Sequence, residues 1–142
     1  MSEPNAIPAG KPEAEIVIDP GLVRDLIAAQ HTDLTTEALD FFAEGWDNVM
    51  FRLGSKLLVR LPRRKAAAQL IQHEQAWLPT IAPRLPLPVP VPLRVGIPSE
   101  DYPWHWSIVR LLPGVPLDQS VPTSECGAII GGFLRALHDQ PL

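Results

Sequence analysis

Very little in this sequence of 142 residues suits covalent or metal chemistry. It has a single cysteine, Cys126, which excludes an internal disulfide and fits a reducing compartment. No base stands near Cys126 in sequence, so it reads as a small buried helix residue rather than a nucleophile. The four histidines, His31, His73, His105 and His138, are scattered without ligand spacing, which argues against zinc. No apolar run approaches the roughly 20 residues that a bilayer span requires. The amino terminus, MSEPNAIPAGKPEAE, lacks the apolar stretch of a secretion signal, so the expected location is cytoplasmic. Positive charge is also scarce: 12 Lys and Arg against 16 Asp and Glu leave a net charge of −4. The one basic group, Arg60, Arg63, Arg64 and Lys65, is short enough to be a solvated strand end. Neither nucleic acid nor a membrane is an expected partner, and no internal repeat is present.

What is there is an ordinary globular composition, 46% apolar and 20% charged, enough for one domain or for one large lobe and a fragment of another. Residues 1–18, rich in Pro, Ala, Glu and Gly, read as a flexible tail. Asp19-Pro20 is a helix start, and Leu22, Val23, Leu26 and Ile27 place a short amphipathic helix over residues 20–30. Residues 38–43 lead through the loop Glu44-Gly45-Trp46-Asp47 into an alternating strand in which Val49, Phe51 and Leu53 share one face. Gly54-Ser55-Lys56 is a tight turn, and Leu57–Leu61 is a further strand. Helical periodicity runs from Arg63 to about Ala82, with Leu70, Ile71, Glu74, Trp77, Leu78 and Ile81 on one face. Pro79 within it predicts a kink or an early stop at Leu78.

The alternating Pro, Leu and Val residues of Leu85–Pro92 predict an extended apolar connector rather than a peptide ligand for a recognition domain. Leu93–Ile97 and Trp106–Leu112 form a second hairpin, ended by Pro113-Gly114. A last helix, capped by Thr123 or Ser124, runs to about His138 with Ile129, Ile130, Phe133, Leu134 and Leu137 as its apolar face. Little of the chain is left for that face to pack against.

Two charged residues stand out against this frame. Arg60 lies within a β-rich run, and Glu74 lies on the apolar stripe of the following helix. A carboxylate there without a partner is costly, which points to an Arg60–Glu74 pair; the bland alternative is an arginine extending to water. Gly45 allows a backbone to approach an anion closely, and Asn48 adds a side-chain donor, although Gly45 taken alone reads as a turn glycine. His138-Asp139 fits a helix end. Trp104 and Trp106 fit strand packing.

The run GWDNVMFRLG, then LLVRLPRR, HEQAWLP, LPLPVPVP and YPWHWSIVRLLPGVPL, resembles the aminoglycoside phosphotransferase family of the protein-kinase-like superfamily, over residues 37–140. The resemblance implies an α+β fold: a kinase-like amino-terminal lobe over residues 19–112, with a five-stranded antiparallel sheet and one packed helix. Residues 113–142 would then be a linker and the first helix of a carboxy-terminal lobe of which the rest is missing. It implies ATP as cofactor, with Gly45 and Asn48 near the phosphates and Arg60 in the place of the phosphate-holding strand lysine, paired with Glu74. The backbone of Val109, Arg110, Leu111 and Leu112 would hold the adenine edge, between apolar walls from Val49, Leu58 and Leu111. Arginine at position 60 departs from the protein-kinase pattern but keeps the charge and adds a planar fork.

The family activity is ATP-dependent phosphoryl transfer to a hydroxyl of a small molecule. Its His-Gly-Asp loop and later metal-binding aspartate are not in this sequence, so no catalytic or magnesium-binding residue is assigned. The expectation is a truncated kinase that binds nucleotide only, with an acceptor bound only alongside a complete carboxy-terminal lobe. The alternative is a non-catalytic, pseudokinase-like lobe that associates with a partner through its exposed inter-lobe face.

Overall fold

The computed structural model describes residues 10–141. Asp19 caps the first helix, α1 (Pro20–Gln30), by accepting from the Leu22 amide at 2.8 Å, and Pro20 occupies a first-turn position where no amide is needed. Five strands follow in the described residues: β1 (Leu39–Glu44), β2 (Asn48–Leu53), β3 (Leu57–Pro62), β4 (Pro92–Gly96) and β5 (Trp106–Arg110). They form one antiparallel sheet in the order β1-β2-β3-β5-β4. Between β3 and β4 runs α2 (Lys65–Ile81), and α3 (Ser124–His138) closes the chain. The fold is α+β, with a five-stranded antiparallel sheet and a helix inserted after the third strand, as the sequence predicts.

Strand alternation divides the sheet into two faces. Val49, Phe51 and Leu53 of β2, Val59 and Leu61 of β3, and Trp106 and Ile108 of β5 pack with Val23, Leu26 and Ile27 of α1 into the main core. The opposite face carries Met50, Leu58, Arg60 and Ser107, and α2 lies over it, since Gln75 donates to the Trp106 carbonyl and the Ser107 hydroxyl. The sheet is thus sandwiched between two helices. Gly54, at φ +61°, makes the β2–β3 turn in a conformation that side chains rarely adopt. Tyr102, from the loop before β5, is fully buried and donates to the Pro62 carbonyl at 2.8 Å.

Several local expectations are corrected. Residues 10–18, read as part of a flexible tail, lie along the sheet: Ile16 and Ile18 pack on the main core, and the Glu15 amide donates to the Arg63 carbonyl at 2.9 Å. Residues 1–9 lie outside the described residues. On α2 the buried side chains are Ala67, Ala68 and Ile71, whereas Leu70 and Trp77 are 49% and 59% exposed. The small alanines let the helix approach the sheet, and this turns the contact stripe one position away from the two bulkier residues. Pro79 does not end α2, which continues to Ile81. Cys126 is half-buried rather than buried, beside the Thr123 hydroxyl at 3.6 Å. No residue of α3 is buried. No described helix is long and apolar enough to cross a membrane.

Candidate nucleotide-binding cleft

The register of β2 and β3 aligns Arg60 with Met50, and that of β3 and β5 aligns Arg60 with Ser107. Arg60 therefore sits on the middle strand of the three, on the face covered by α2. Glu74 is three and seven residues beyond Ile71 and Ala67 on α2, and so comes down on the same face. The two side chains meet as a fork: Arg60 Nη1 donates to Glu74 Oε2 at 2.7 Å, and Nη2 to Oε1 at 3.4 Å. They are partly sheltered, at 15% and 32% side-chain exposure. Bidentate pairing fixes the plane of the guanidinium and leaves its remaining edge able to meet an oxyanion.

Arg60 lines an open cleft of about 830 Å³. Met50 and Leu58 continue its sheet wall, and Val109 and Arg110 at the end of β5 line it together with Leu111 and Leu112 just beyond. The Leu111 amide is engaged, since it donates to the Lys56 carbonyl at 2.8 Å. In an antiparallel ladder successive residues point to opposite edges, so Arg110 and Leu112 face away from β3. Arg110 lies past the last β4–β5 pair, Pro92 with Val109, and among the described residues the Leu112 amide makes no backbone hydrogen bond. The Arg110 carbonyl and Leu112 amide thus present an acceptor and a donor two residues apart.

Val49 is not a cleft wall. It is buried in the α1 core, because residues that share the Arg60 face must align with it across the strands, and that residue is Met50. Phe42 and Arg52 also line the cleft and were not singled out from the sequence. Asp40 aligns with Arg52 and Phe41 with Phe51, so alternation along β1 turns Phe42 to the Arg52 side just before the register shift at Ala43, and the Arg52 guanidinium stands 5.6 Å from its ring centroid. Met50, Arg52 and Phe42 were legible by counting in twos from the strand parity; the shift that brings Ala43 opposite Met50 was not.

Gly45 and Asn48 stand at the β1–β2 turn, outside the cleft lining. The Gly45 amide donates to the Asn48 carbonyl at 2.9 Å, so it closes the turn rather than facing a ligand. The next two amides, Trp46 and Asp47, make no backbone hydrogen bond among the described residues. Asn48 aligns with Pro62, on the same face as Arg60, and its Oδ1 is buried without a partner. Arg63, taken above as part of a solvated strand end, is 4% exposed.

The family model described as the phosphotransferase enzyme family, APH, matches residues 38–142. The chain belongs to the phosphotransferase enzyme family. No curated protein matches it. Among solved structures, the GDP complex of wild-type aminoglycoside 2'-phosphotransferase-IIIa superposes with a TM-score of 0.78 at 17% identity, covering 87% of this chain and 43% of that one. The GDP and kanamycin complex of APH(2'')-IIIa gives 0.75 at 18%, covering 84% and 42%. The streptomycin–ATP–APH(2'')-IIa ternary complex gives 0.57 at 17%, covering 89% and 42%. These likenesses identify the kinase-like fold of the aminoglycoside phosphotransferases. This phosphotransferase-family chain spans about two fifths of the length of those proteins.

Proposed function

We propose that this chain is the nucleotide-binding lobe of an ATP-dependent phosphotransferase whose whole-protein reaction moves the γ-phosphoryl group to a hydroxyl of a small molecule. The observation that carries this reading is the Arg60–Glu74 fork on the wall of a cleft rimmed by Val109–Leu112. Arg60 would hold phosphate oxygens, and Glu74 would keep its guanidinium plane in place. The Arg110 carbonyl and Leu112 amide would read the adenine edge, and Met50, Leu58 and Val109 would exclude water from the base. The Trp46 and Asp47 amides, rather than that of Gly45, would be the backbone donors of the first turn, with the Asn48 side chain beside them. Nucleotide complexes of similarly folded proteins support this assignment, with GDP, ATP and ADP named among them.

The described residues include no group of three His, Cys, Asp or Glu side chains able to hold a metal ion. In this reading the chain binds and orients the nucleotide, and the electrostatic contributions that accelerate transfer come from other residues of the whole protein.

A second reading is a partner-binding module, favoured by the uncovered apolar residues Ile129, Ile130 and Leu134 on α3. Calorimetric titration with magnesium-ATP separates the two. The nucleotide reading expects saturable binding that weakens by more than about tenfold in Arg60→Ala, the scale of one charge-assisted contact. Heat-silent titration of a folded wild-type chain would leave the partner module as the better account.

A further inference from the structure

A second charged cluster lies outside the cleft, where residues 11–15 cross the end of the sheet. At its centre is Arg63, 4% exposed. Its Nη1 faces the carbonyls of Pro12 at 3.2 Å and of Gly45 and Trp46 at 3.3 Å each. Its Nε stands 2.7 Å from Glu44 Oε1, a charge contact rather than a directed hydrogen bond, since that N–H has no acceptor in line. Lys11 Nζ reaches the same carboxylate at 3.2 Å and the Glu44 carbonyl at 3.3 Å.

Glu15 joins the cluster to the start of α2. Its amide donates to the Arg63 carbonyl, and its Oε2 accepts from the Lys65 amide at 3.2 Å, in the first turn of the helix. Arg64, the residue that precedes α2, pairs with Asp47 at 3.0 Å, and the Arg63 amide donates to the Asp47 carbonyl at 2.8 Å. The β1–β2 turn, the end of β3 and the start of α2 are thus tied to one buried guanidinium and to residues 11–15.

We propose that Arg63, held by the Lys11–Glu15 segment, is a positioning residue for the nucleotide triphosphate. It acts through the Trp46 and Asp47 amides, whose turn it anchors, and through α2, which carries Glu74 to Arg60. The proposal rests on the nucleotide reading above. A turn already ordered in the free protein loses no backbone freedom when phosphate arrives, and donors fixed in place bind an anion more tightly than donors that must be gathered. A guanidinium surrounded by carbonyl groups from two distant segments suits that role, because each carbonyl restrains a different chain. The base-binding end of the cleft makes no contact with the cluster, so its affinity for adenosine should be independent of Arg63.

The test is calorimetry of the full chain with ATP and with adenosine, in wild type, Arg63→Lys, Glu44→Gln and Lys11→Met, joined to hydrogen exchange at Trp46 and Asp47. Arg63→Lys keeps the charge but loses the fork. It is expected to weaken ATP binding by about tenfold, while adenosine binding stays within about twofold, on the scale set by one charge-assisted contact. Glu44→Gln and Lys11→Met should weaken ATP binding severalfold, and exchange at the two amides should quicken in all three variants. Equal losses for ATP and adenosine would mark a merely structural role and overturn the proposal, as would unchanged ATP affinity. Should Arg63→Lys not fold, Glu44→Gln and Lys11→Met carry the same comparison. A wild-type chain that binds no ATP removes the nucleotide reading and this inference together, whereas normal ATP binding untouched by the variants removes only the latter.

Discussion

At Gly96 the backbone of β4 lies against the Trp106 indole, and a Cβ there would collide with several ring atoms. Trp106 is itself fully buried, so the ring cannot step aside without disturbing Ile108 and α1. Gly96→Ala should therefore destabilise the fold by about 1–3 kcal/mol, the usual penalty of overpacking, as read from the denaturant midpoint. His31 sits edge-on to the same indole, at 5.4 Å between ring centroids and 79° between planes, with Nε2 buried and unpartnered. Burial, helped by the nearby Arg94 charge, holds its pKa below the ordinary 6.5, against weaker opposite pulls from the Val95 backbone and Asp33. The folded state thus favours the neutral ring. As pH falls below 6.5 the unfolded chain takes up the proton first, and stability is lost down to the folded-state pKa. Thermal midpoints should decline over that window, and His31→Phe should flatten the decline.

At the scale of elements, the exposed end of β4 is secured by a side chain acting as a strand. The Gln30 amide at the end of α1 donates to the Ile97 carbonyl at 3.0 Å and accepts from the Ile97 amide at 2.8 Å. Gln30→Ala should lower stability by about 1–2 kcal/mol, the worth of two partly exposed hydrogen bonds, and should speed exchange at the Ile97 amide. The existence of α1, the strands and α2 was legible because each follows from periodicity within about a dozen residues. So was the Arg60–Glu74 pair, which needs only strand parity and helix spacing. Arg63 was not legible. Its partners lie 51 residues away at Pro12 and 17 and 18 away at Trp46 and Gly45, and no local pattern separates it from a solvated arginine. The rotation of α2 was missed for a related reason, since alanines carry almost no periodic signal although they permit the closest approach.

For the whole molecule, burial divides the chain unevenly. The main core joins α1, the sheet and the Tyr102 loop, while α3 contributes no buried residue. Ile130→Ser and Leu134→Ser should accordingly shift unfolding by less than about 0.5 kcal/mol, as surface changes do. Leu61→Ser, at a fully buried position in the sheet, should cost several times more or prevent folding. If α3 lost as much stability as Leu61, its face would have to be covered in solution.

Taken by itself, the amino-acid sequence determined the kinds of element, their order, the glycine turn between β2 and β3, and the charged pair across β3 and α2. These depend on alternation, helical spacing and backbone limits, which act over short stretches of chain. Only the tertiary structure decided which face of β2 meets the cleft floor, which amides of the first turn remain unengaged, and that residues 10–18 pack along the sheet. Those outcomes depend on register and on a buried guanidinium gathering carbonyl groups from two distant segments, and such contacts leave no trace in the order of neighbouring residues.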